Sequence, residues 1–419
     1  MAVDLVVIGL GYVGLPLVRE AVSSGLSVRG FEVDKAIVDA LNAGVSHVDD
    51  VADADVASMV ASGFRATLDV EAIAEADAVV ICVPTPLGAD GGPDLGAVVG
   101  ATRTVASVLR EGMLVVLEST TYPGTTEEVL RPILEETGLV CGRDFHLAFS
   151  PERIDPGNPV YGMRNTPKVV GGLTPEATRR AADLYGRFVD RVVVAKGARE
   201  AETAKLLENT YRHINIALVN EMARFCHELD IDLWDVINLA KTKPFGFQAF
   251  YPGPGVGGHC IPIDPNYLSH SVRSRLGYPF RFVELAQEIN ATMPAYVARR
   301  AQDILNEDAK PLRGSQVLLL GVTYKPDIAD QRESPAVPLA QALRAQGADV
   351  VFHDPYIERW RLNEAILDRV QDLDETIASA DLTILVQNHA AYDVDALAVA
   401  SRRFFDTKGA TTSPGAHRL

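Results

Sequence analysis

Hydrophobic and polar positions alternate in blocks along the first third of the chain, and the blocks predict short strands separated by helices. Leu5–Ile8 is an apolar run that ends in a glycine cluster, and the apolar positions from Leu15 onward predict a helix. A second predicted strand, Ser27–Phe31, ends at Glu32. Three more apolar runs predict strands at residues 78–83, 113–117 and 145–149. Strands and helices in this alternation predict a parallel sheet.

The segment from about Ala198 to Ala240 changes to helical periodicity. Its apolar positions are spaced by three and four residues: Leu206, Leu207, Ile214, Leu218, Met222 and Phe225. Polar positions at i, i+3, i+7 and i+11 form one narrow stripe: Glu202, Lys205, Asn209 and His213. Lys205 and Asn209 therefore point the same way, and the stripe fits either a ligand site or a solvated helix face.

A second strand and helix series begins near Gln316. The pattern predicts strands at 316–321, 349–354 and 380–386 and a helix over roughly 336–346, without a second glycine fingerprint. The predicted fold class is α/β, with an N-terminal Rossmann domain and a C-terminal Rossmann-like domain bridged by a long central helix. The predicted domains are 1–195, 196–300 and 301–419. The small, polar residues after Thr407 predict a frayed tail.

Composition and charge narrow the class of protein. The chain has 419 residues, 47% of them hydrophobic and 23% charged, which is typical of a globular protein. A net charge of −17 argues against a nucleic-acid or anionic-membrane surface. No apolar run approaches a membrane span and no signal-peptide pattern precedes the first strand. We therefore expect a cytoplasmic protein.

The four cysteines are far apart in the sequence: Cys82, Cys141, Cys226 and Cys260. None of them forms a CxxC pair, so neither a disulfide framework nor a zinc site is predicted. We expect no metal.

The first strand leads into a complete dinucleotide fingerprint. Gly9 permits the tight turn, Gly11 lets a pyrophosphate approach the helix N-terminus, and Gly14 allows close packing of helix on strand. Glu32, eighteen residues after Gly14, is placed to bind a ribose 2′-hydroxyl and to repel a 2′-phosphate. The fingerprint favours NAD over NADP.

Two alternatives stay open at this cofactor site. Asp34 is a second candidate for the ribose contact, and Arg29 or Lys35 would suit NADP. Thr85 and Thr120 follow predicted strands, where an open parallel sheet binds its cofactor. Each threonine fits a helix cap or a turn equally well.

A glycine-rich loop near the middle of the chain carries a single cysteine. Five of the six residues in Gly253–Gly258 are glycine or proline, and Cys260 and Asp264 follow. Such a loop lets a ligand approach its backbone, so Cys260 is a candidate covalent nucleophile. The alternative is a small buried cysteine in a structural turn.

Taken together, these motifs resemble the UDP-glucose/GDP-mannose dehydrogenase family of nucleotide-sugar 6-dehydrogenases over essentially the whole chain. The matching segments are 9–16, 82–86, 150–152, Lys205 with Asn209, 255–264, and Lys325 with 332–334. The resemblance implies an NAD-dependent, four-electron oxidation of the sugar C6 alcohol to a carboxylate, with two NAD per turnover. It also implies a UDP-sugar substrate held largely by the C-terminal domain, a homodimer formed through the central helix, and a place in polysaccharide biosynthesis.

The resemblance assigns roles to the candidate catalytic residues. Cys260 would carry a thiohemiacetal and then a thioester, and Lys205 with Asn209 would stabilise the oxyanion. Asp264 would orient or deprotonate a water, with Glu152 as the alternative base. Thr120 completes the catalytic set. Some UDP-glucose enzymes carry a second glutamate where this chain has Pro156, so thioester hydrolysis relies here on Glu152, Asp264 or water alone.

The resemblance also implies two sets of binding residues. The expected NAD contacts are Gly9, Gly11, Tyr12, Val13, Gly14, Glu32, Asp34, Thr85, Thr120 and Arg332. The expected substrate contacts are Glu152, Arg153, Lys205, Asn209, Phe250, Tyr251, Gly257, His259 and Lys325.

Residues 242–247 and 258–265 look most like the UDP-N-acetylglucosamine branch, because His259 and Ile263 stand where UDP-glucose enzymes usually carry other residues. UDP-GlcNAc is therefore favoured, with UDP-ManNAc next. The alternatives are a UDP-glucose 6-dehydrogenase, an inactive nucleotide-sugar-binding protein and a single-step 3-hydroxyacid dehydrogenase. The last needs neither the cysteine nor a C-terminal α/β domain.

Overall fold

The computed structural model describes residues 3–48, 50–88, 92–155, 158, 160–258, 261 and 263–419. These residues form two compact units. The N-terminal unit comprises Met1–Glu208 with Asn266–Tyr278, and the C-terminal unit comprises Asn209–Pro265 with Pro279–Leu419.

One sheet organises the N-terminal unit. Its strands are β1 (Val3–Ile8), β2 (Val28–Phe31), β3 (Arg65–Thr67), β4 (Ala76–Ile81), β5 (Leu114–Leu117), β6 (His146–Phe149), β7 (Lys168–Gly172) and β8 (Val192–Val194). Over the described ranges their order is β3-β2-β1-β4-β5-β6-β7-β8, and every neighbouring pair is parallel except β6 with β7. The first six strands have the doubly wound order of a Rossmann domain.

Both faces of this sheet are covered. On β4, Ala78 and Val80 belong to one hydrophobic cluster, whereas Val79 and Ile81 belong to another, because successive side chains of a strand point to opposite faces. The helices of this part of the chain are α1 (Gly14–Ser23), α2 (Lys35–Asn42), α3 (Asp53–Ala61), α4 (Glu71–Ala74), α5 (Gly96–Ala106), α6 (Arg131–Glu135) and α7 (Pro175–Tyr185), with a π-helical turn at Thr126–Leu130. A parallel sheet covered in this way needs near-continuous apolar strands, which explains the runs seen in the sequence.

The long helix α8 (Ala198–Glu228) confirms the predicted central helix but ends twelve residues early. Asp230 adopts a positive φ of 55°, and the Asp232 side chain caps a separate helix, α9 (Leu233–Ala240). The polar stripe of α8 is largely buried rather than solvated, with Glu202, Lys205 and His213 less than 10% exposed. The stripe is therefore available for specific contacts.

A second parallel sheet organises the C-terminal unit. The helices that follow α9 in this unit are α11 (Arg281–Asn306), α12 (Ala336–Ala345), α13 (Leu373–Ser379) and α14 (Val394–Ala400), whereas most of α10 (Asp264–Leu276) belongs to the N-terminal unit. The strands are β9 (Gln316–Leu320), β10 (Asp349–His353), β11 (Arg359–Leu362), β12 (Ala365–Asp368), β13 (Leu382–Leu385), β14 (Phe404–Asp406) and β15 (His417–Arg418). The sheet order is β10-β9-β13-β14-β15, and β11 pairs with β12 as an antiparallel hairpin. The α/β class and the two parallel sheets are confirmed.

The expectation of a frayed tail is wrong. The final strand β15 pairs with β14, and Leu419 is 5% exposed. The indole of Trp234 donates to the carbonyl oxygen of Leu419 at 3.2 Å. The small polar residues between Thr407 and β15 form the loop that connects β14 to β15. Their composition is therefore explained by a loop and not by a frayed end. No helix of the described residues is long and apolar enough to cross a membrane.

Candidate active site

The glycine turn after β1 has the geometry that a bound dinucleotide requires. Gly9 lies at φ +87°, and a Cβ on Gly14 would stand 1.9 Å from the carbonyl oxygen of Gly9, so α1 starts directly on the turn. A Cβ built on Gly11 meets no atom within 4 Å. The turn is thus tight on its protein side and open beside Gly11, which fits a pyrophosphate at the N-terminus of α1. Tyr12 is exposed and Val13 is half-buried.

The end of β2 distinguishes between the two candidate ribose ligands. Glu32 is half-buried and accepts backbone hydrogen bonds from Leu10 at 3.0 Å and Val33 at 2.8 Å, so it lies beside the glycine turn. Asp34 is exposed and caps α2 by accepting from the Ala36 N–H at 2.8 Å. The geometry therefore favours Glu32 as the ribose contact.

Arg29 and Lys35, the two cations that would suit NADP, bind other groups of the protein. Arg29 donates to the carbonyl oxygen of Gly63 at 2.8 Å, and Lys35 pairs with Asp39 on its own helix at 2.6 Å. Neither arrangement prepares a 2′-phosphate site, which agrees with the acidic residue at the end of β2.

The loops after β4 and β5 are held firmly in place. Thr85 is buried, and its carbonyl oxygen accepts from the hydroxyl of Tyr267 on α10. Thr120 is half-buried in the loop after β5. Glu202 on α8 fixes the far end of that loop, because its carboxylate accepts from the backbone N–H of Gly124 at 2.5 Å and of Thr126 at 2.9 Å. Part of the polar stripe of α8 therefore serves to position a loop.

Glu152 follows β6 and is held on both oxygens. Its Oε1 accepts the backbone N–H groups of Arg153 at 2.7 Å and Ile154 at 2.5 Å, and its Oε2 lies 3.3 Å from Nζ of Lys168. Burial alone would raise the pKa of Glu152, but the ammonium groups of Lys168 and Lys205 and the N–H of Ile154 bring its pKa below the ordinary value. Glu152 is thus a buried carboxylate that stays ionised.

Arg153, an expected substrate contact, binds other residues of the N-terminal unit. Its guanidinium pairs with Glu208 at 2.8 Å and donates to the carbonyl oxygen of Pro167 at 2.8 Å. Any contact with substrate would compete with this ion pair.

Asn209 and Asp264 form a direct hydrogen bond. Nδ2 of Asn209 donates to Oδ2 of Asp264 at 2.6 Å, and Asp264 is 2% exposed as the first residue of α10. Lys205 lies one turn before Asn209 on α8 and is 7% exposed.

The segment before the cysteine is anchored at its start. The N–H of Gly253 donates to Oδ1 of Asn220 at 2.9 Å, and Nδ2 of Asn220 donates to Asn290 on α11 at 2.9 Å. A Cβ on Gly257 would stand 2.7 Å from Cβ of Tyr324, so this residue must be glycine for the loop to pack there. Cys260 and His259, together with Pro156, lie outside the described residues.

Aromatic side chains flank the same segment. Tyr251 is 44% exposed and stacks on Trp234, with ring centroids 5.9 Å apart and 14° between planes. Phe250 is half-buried and meets the ring of Tyr211 edge-on at 5.7 Å. The stacking leaves one face of Tyr251 for other contacts.

Lys325 lies in the loop after β9, and a buried histidine supports that loop. His389 accepts from the N–H of Asp327 at 2.9 Å, and its Nε2 lies 3.1 Å from Oδ2 of Asp354 and 3.3 Å from Oγ1 of Thr323. We call Asp354, His389, Thr323 and Asp327 the histidine cluster. It fixes the backbone on both sides of Lys325.

Arg332, an expected NAD contact, pairs with a neighbouring carboxylate. Its guanidinium is half exposed and binds both carboxylate oxygens of Asp330, with Nη2 to Oδ2 at 2.6 Å. A role in cofactor binding would require this pair to open.

Three charged residues near these sites escaped the sequence reasoning. Lys168 and Glu118 are at most 3% exposed and form an ion pair in the N-terminal unit. Lys408 follows β14, and its Nζ lies 3.9 Å from the position of a Cβ on Gly253. The sequence did contain a signal that could have identified them, because each is a charged residue close to the end of an apolar strand. A charge buried there needs a partner or a ligand to compensate it. Among the described residues, no group of three or more His, Cys, Asp or Glu could hold a metal ion.

Comparison with known proteins places these sites in a family. Residues 3–189 match the NAD binding domain of the UDP-glucose/GDP-mannose dehydrogenase family, 199–292 its central domain and 318–413 its UDP binding domain. A UDP-N-acetyl-D-mannosamine dehydrogenase of Pyrococcus horikoshii is 34% identical over 391 residues, which cover 93% of this chain and 90% of that protein.

Solved structures show the same likeness in three dimensions. The UDP-D-ManNAc dehydrogenase of Pyrococcus horikoshii has a TM-score of 0.90 at 32% identity and covers 99% of both chains. A UDP-glucose dehydrogenase of Pyrobaculum islandicum has a TM-score of 0.88 at 28% identity, covering 100% of this chain and 97% of that one. The cofactor is NAD, the UDP binding domain indicates a UDP-sugar substrate, and the chain belongs to the UDP-glucose/GDP-mannose dehydrogenase family as an NAD-dependent oxidoreductase.

Proposed function

We propose that this chain oxidises C6 of a UDP-N-acetylhexosamine to the uronate, with UDP-GlcNAc favoured and UDP-ManNAc next. The observation that carries the proposal is the hydrogen bond from Asn209 to Asp264. It ties the helix that bears Lys205 to the residue four positions after Cys260. A lysine, a neutral donor and a carboxylate are the groups that an oxyanion-forming reaction at a cysteine needs.

The first half-reaction converts the alcohol to an aldehyde. The glycine turn and Glu32 would hold NAD, which would supply the hydride acceptor for C6 in each of the two oxidations. Lys205 stabilises the alkoxide while a carboxylate takes the hydroxyl proton, through water in the case of Asp264. Thr120 is proposed as a further donor at this stage.

The second half-reaction passes through the cysteine. The thiolate of Cys260 adds to the aldehyde carbon, and the oxygen takes up a proton to give a thiohemiacetal. Loss of the second hydride and of that proton leaves a thioester, which water attacks as Glu152 or Asp264 accepts a proton. The C–S bond breaks and the Cys260 thiolate is restored. The sum is one alcohol, two NAD and one water converted to one carboxylate, two NADH and three protons.

The named relatives favour an acetamido sugar. The relative and the structure from Pyrococcus horikoshii are both named for UDP-N-acetyl-D-mannosamine. The segments 242–247 and 258–265 favour the gluco epimer instead, so UDP-GlcNAc stays the first choice. UDP-glucose is the second candidate function, because a UDP-glucose dehydrogenase has nearly the same fold.

A substrate panel tests the proposal. Purified protein is incubated with NAD and UDP-GlcNAc, UDP-ManNAc, UDP-GalNAc or UDP-glucose, and NADH and uronate are both quantified. One acetamido sugar should give two NADH per uronate. Preference for UDP-glucose would select the second candidate, and absence of turnover with every sugar would overturn an active dehydrogenase.

Replacement of the cysteine tests the covalent step. Cys260→Ser should lower kcat by about a thousand-fold or more while NAD binding stays intact. Cys141→Ser is the matched control, because that cysteine is half-buried in the N-terminal unit, and it should keep the normal rate. Normal uronate formation by Cys260→Ser would rule out the thioester.

We further propose a homodimer formed through α8, acting in the cytoplasm. One face of α8 exposes large apolar side chains that a monomer would leave in water: Leu207, Tyr211, Leu218 and Phe225. Leu218→Glu should give monomers in sedimentation, whereas Val399→Glu, at another exposed apolar position, should not. The free cysteines Cys82 and Cys226 suit a reducing compartment.

A further inference from the structure

Four polar side chains of the N-terminal unit are buried together beyond the ends of its central strands. Glu118 follows β5, Glu152 follows β6, Lys168 opens β7 and Tyr185 ends α7. All four are at most 9% exposed. We call them the ionic cluster. Nothing in the fingerprint or in the family motifs quoted above includes Glu118, Lys168 or Tyr185.

Hydrogen bonds and ion pairs connect the four members of the ionic cluster. The hydroxyl of Tyr185 donates to Oε2 of Glu118 at 2.6 Å, Oε1 of Glu118 pairs with Nζ of Lys168, and the same Nζ lies 3.3 Å from Oε2 of Glu152. The ammonium of Lys168 also lies 5.3 Å from the centre of the Tyr185 ring. Lys168 is therefore shared by two carboxylates, only one of which is a candidate base.

This sharing gives Lys168 a definite geometric task. Both N–H contacts of Glu152 go to its Oε1, so Lys168 is the cation that holds Oε2, and the carboxyl group of Glu118 also hydrogen-bonds to Glu152. Glu118 and Tyr185 in turn hold the ammonium in place. A carboxylate fixed at both oxygens keeps one orientation, which a base needs when it acts on a positioned water.

The charges around the cluster determine its protonation. Burial raises the pKa of Glu118 to about 7, although Lys168 and the Tyr185 hydroxyl oppose the shift. Burial also raises the pKa of the Cys82 thiol at the end of β4 and of Tyr185, so both stay neutral. Lys205 on α8 is the remaining charged neighbour and acts on Glu152. Glu118 is thus the member that titrates near neutrality.

The state of Glu118 changes the basicity of Glu152. While Glu118 carries a proton, Lys168 has Glu152 as its one ionised partner and lowers its pKa most strongly. Once Glu118 ionises, it neutralises Lys168 and repels Glu152, which makes Glu152 the better proton acceptor. The rate of any step that uses Glu152 as a base should therefore rise with pH as Glu118 ionises.

We propose that Lys168 and Glu118 are positioning residues that orient the Glu152 carboxylate and set its strength as a base. This inference rests on the proposed function, in which Glu152 serves thioester hydrolysis. The proposed function and the proposed role of the ionic cluster can be refuted independently. The stoichiometry of two NADH per uronate tests the reaction, whereas the variants below test only the ionic cluster.

The first test is the pH dependence of kcat with the sugar that the panel identifies. Wild type should show a rise in kcat through the neutral range, and Glu118→Gln should lose the rise and stay at the low-pH level. Glu111→Gln, at an exposed glutamate before β5, is the matched control and should keep the wild-type profile. An unchanged rise in Glu118→Gln would overturn the proposal.

The second test removes the shared cation. Lys168→Met leaves two buried carboxylates without a cation between them, so Glu152 should take up a proton and kcat should fall about 100-fold at neutral pH. The loss should shrink as pH rises. Lys168→Arg should recover part of the rate, and Lys196→Met, at an exposed lysine, should match wild type.

A merely structural role gives a different outcome. A defect that is equal at every pH, or an unchanged kcat in Lys168→Met, would contradict the proposal. NAD affinity is measured for every variant and should stay within about twofold, because none of the hydrogen bonds and ion pairs described for the cluster involves Gly9, Gly11 or Gly14. If Lys168→Met does not fold, the profile of Glu118→Gln decides.

Discussion

The ionic cluster and the histidine cluster both lie beyond the ends of parallel strands, but they solve different problems. The ionic cluster places two carboxylates around one buried ammonium, so its charge depends on pH. The histidine cluster places one buried carboxylate against a histidine and backbone N–H groups, so its contacts fix a loop. Burial of a carboxylate thus creates either a titrating group or a rigid support, depending on whether the donors saturate it.

The largest effect is expected from breaking the rigid support. Asp354→Ala removes the acceptor of Val322, Tyr356 and His389 at once, and should lower the free energy of unfolding by about 3–5 kcal/mol. Urea unfolding followed by circular dichroism measures the loss. Asp349, the first residue of β10, is exposed, and Asp349→Ala should change stability by less than about 0.5 kcal/mol. Equal effects of the two variants would contradict this account.

The next largest effect is a difference between the ionic cluster and the histidine cluster in how the free energy of unfolding depends on pH. Burial raises the pKa of Glu118 from 4.5 to about 7, so the folded chain keeps a proton there that the unfolded chain has lost. The contribution of Glu118 to the free energy of unfolding should fall by about 3 kcal/mol as pH rises through this window. Glu118→Gln should flatten that slope in denaturation at a series of pH values, and parallel curves for variant and wild type would refute it.

Asp354 should act in a lower window and with the opposite sign. Burial would raise its pKa, but the hydrogen bonds from His389 and from backbone N–H groups bring the pKa below 3.8. Its stabilisation is therefore complete above 3.8 and is lost as pH falls through the lowered pKa. Asp354→Asn should remove this acid-induced loss and leave the Glu118 window unchanged.

A smaller, kinetic effect should follow from the loop that the histidine supports. His389→Ala leaves the backbone of Asp327 without its acceptor and should let the segment that bears Lys325 move. We expect the KM for the UDP-sugar to rise about tenfold while NAD affinity is unchanged. His270→Ala, at an exposed histidine, serves as the control. A change in NAD affinity alone would contradict a role in holding Lys325.

The smallest contrast compares two tyrosine hydroxyls that each donate to a carboxylate. Tyr185 is fully buried, so Tyr185→Phe should cost about 1.5 kcal/mol of unfolding free energy, whereas Tyr356 is 42% exposed and Tyr356→Phe should cost less than about 0.5 kcal/mol. Matched thermal unfolding of both variants measures the difference. Equal losses would show that burial does not decide the strength of these bonds.

The sequence predicted those features that follow from local rules. Gly9 and Gly14 could be assigned because one turn geometry dictates both spacing and residue type. The strands were visible because a sheet covered on both faces needs apolar runs. The break after Glu228 was missed, although the Asp232 side chain that caps α9 was a readable signal.

The partners of buried charges could not be predicted from the sequence. Glu118 and Lys168 are fifty positions apart, so no local sequence pattern pairs them. Only the antiparallel placement of β7 beside β6 brings Lys168 to Glu152. The three-domain division and the catalytic roles of the candidate residues stay predictions, as does that of Cys260, which lies outside the described residues.

The stacking of Trp234 on Tyr251 supplies an optical probe. The chain contains two tryptophans, Trp234 and Trp360, and both belong to the C-terminal unit. Intrinsic emission therefore reports on that unit alone. Trp360 is fully buried, but Trp234 stacks on Tyr251, two positions before the glycine loop, so the emission of Trp234 should change when a sugar nucleotide binds beside Tyr251. The unlabelled enzyme can thus signal occupancy before any turnover begins.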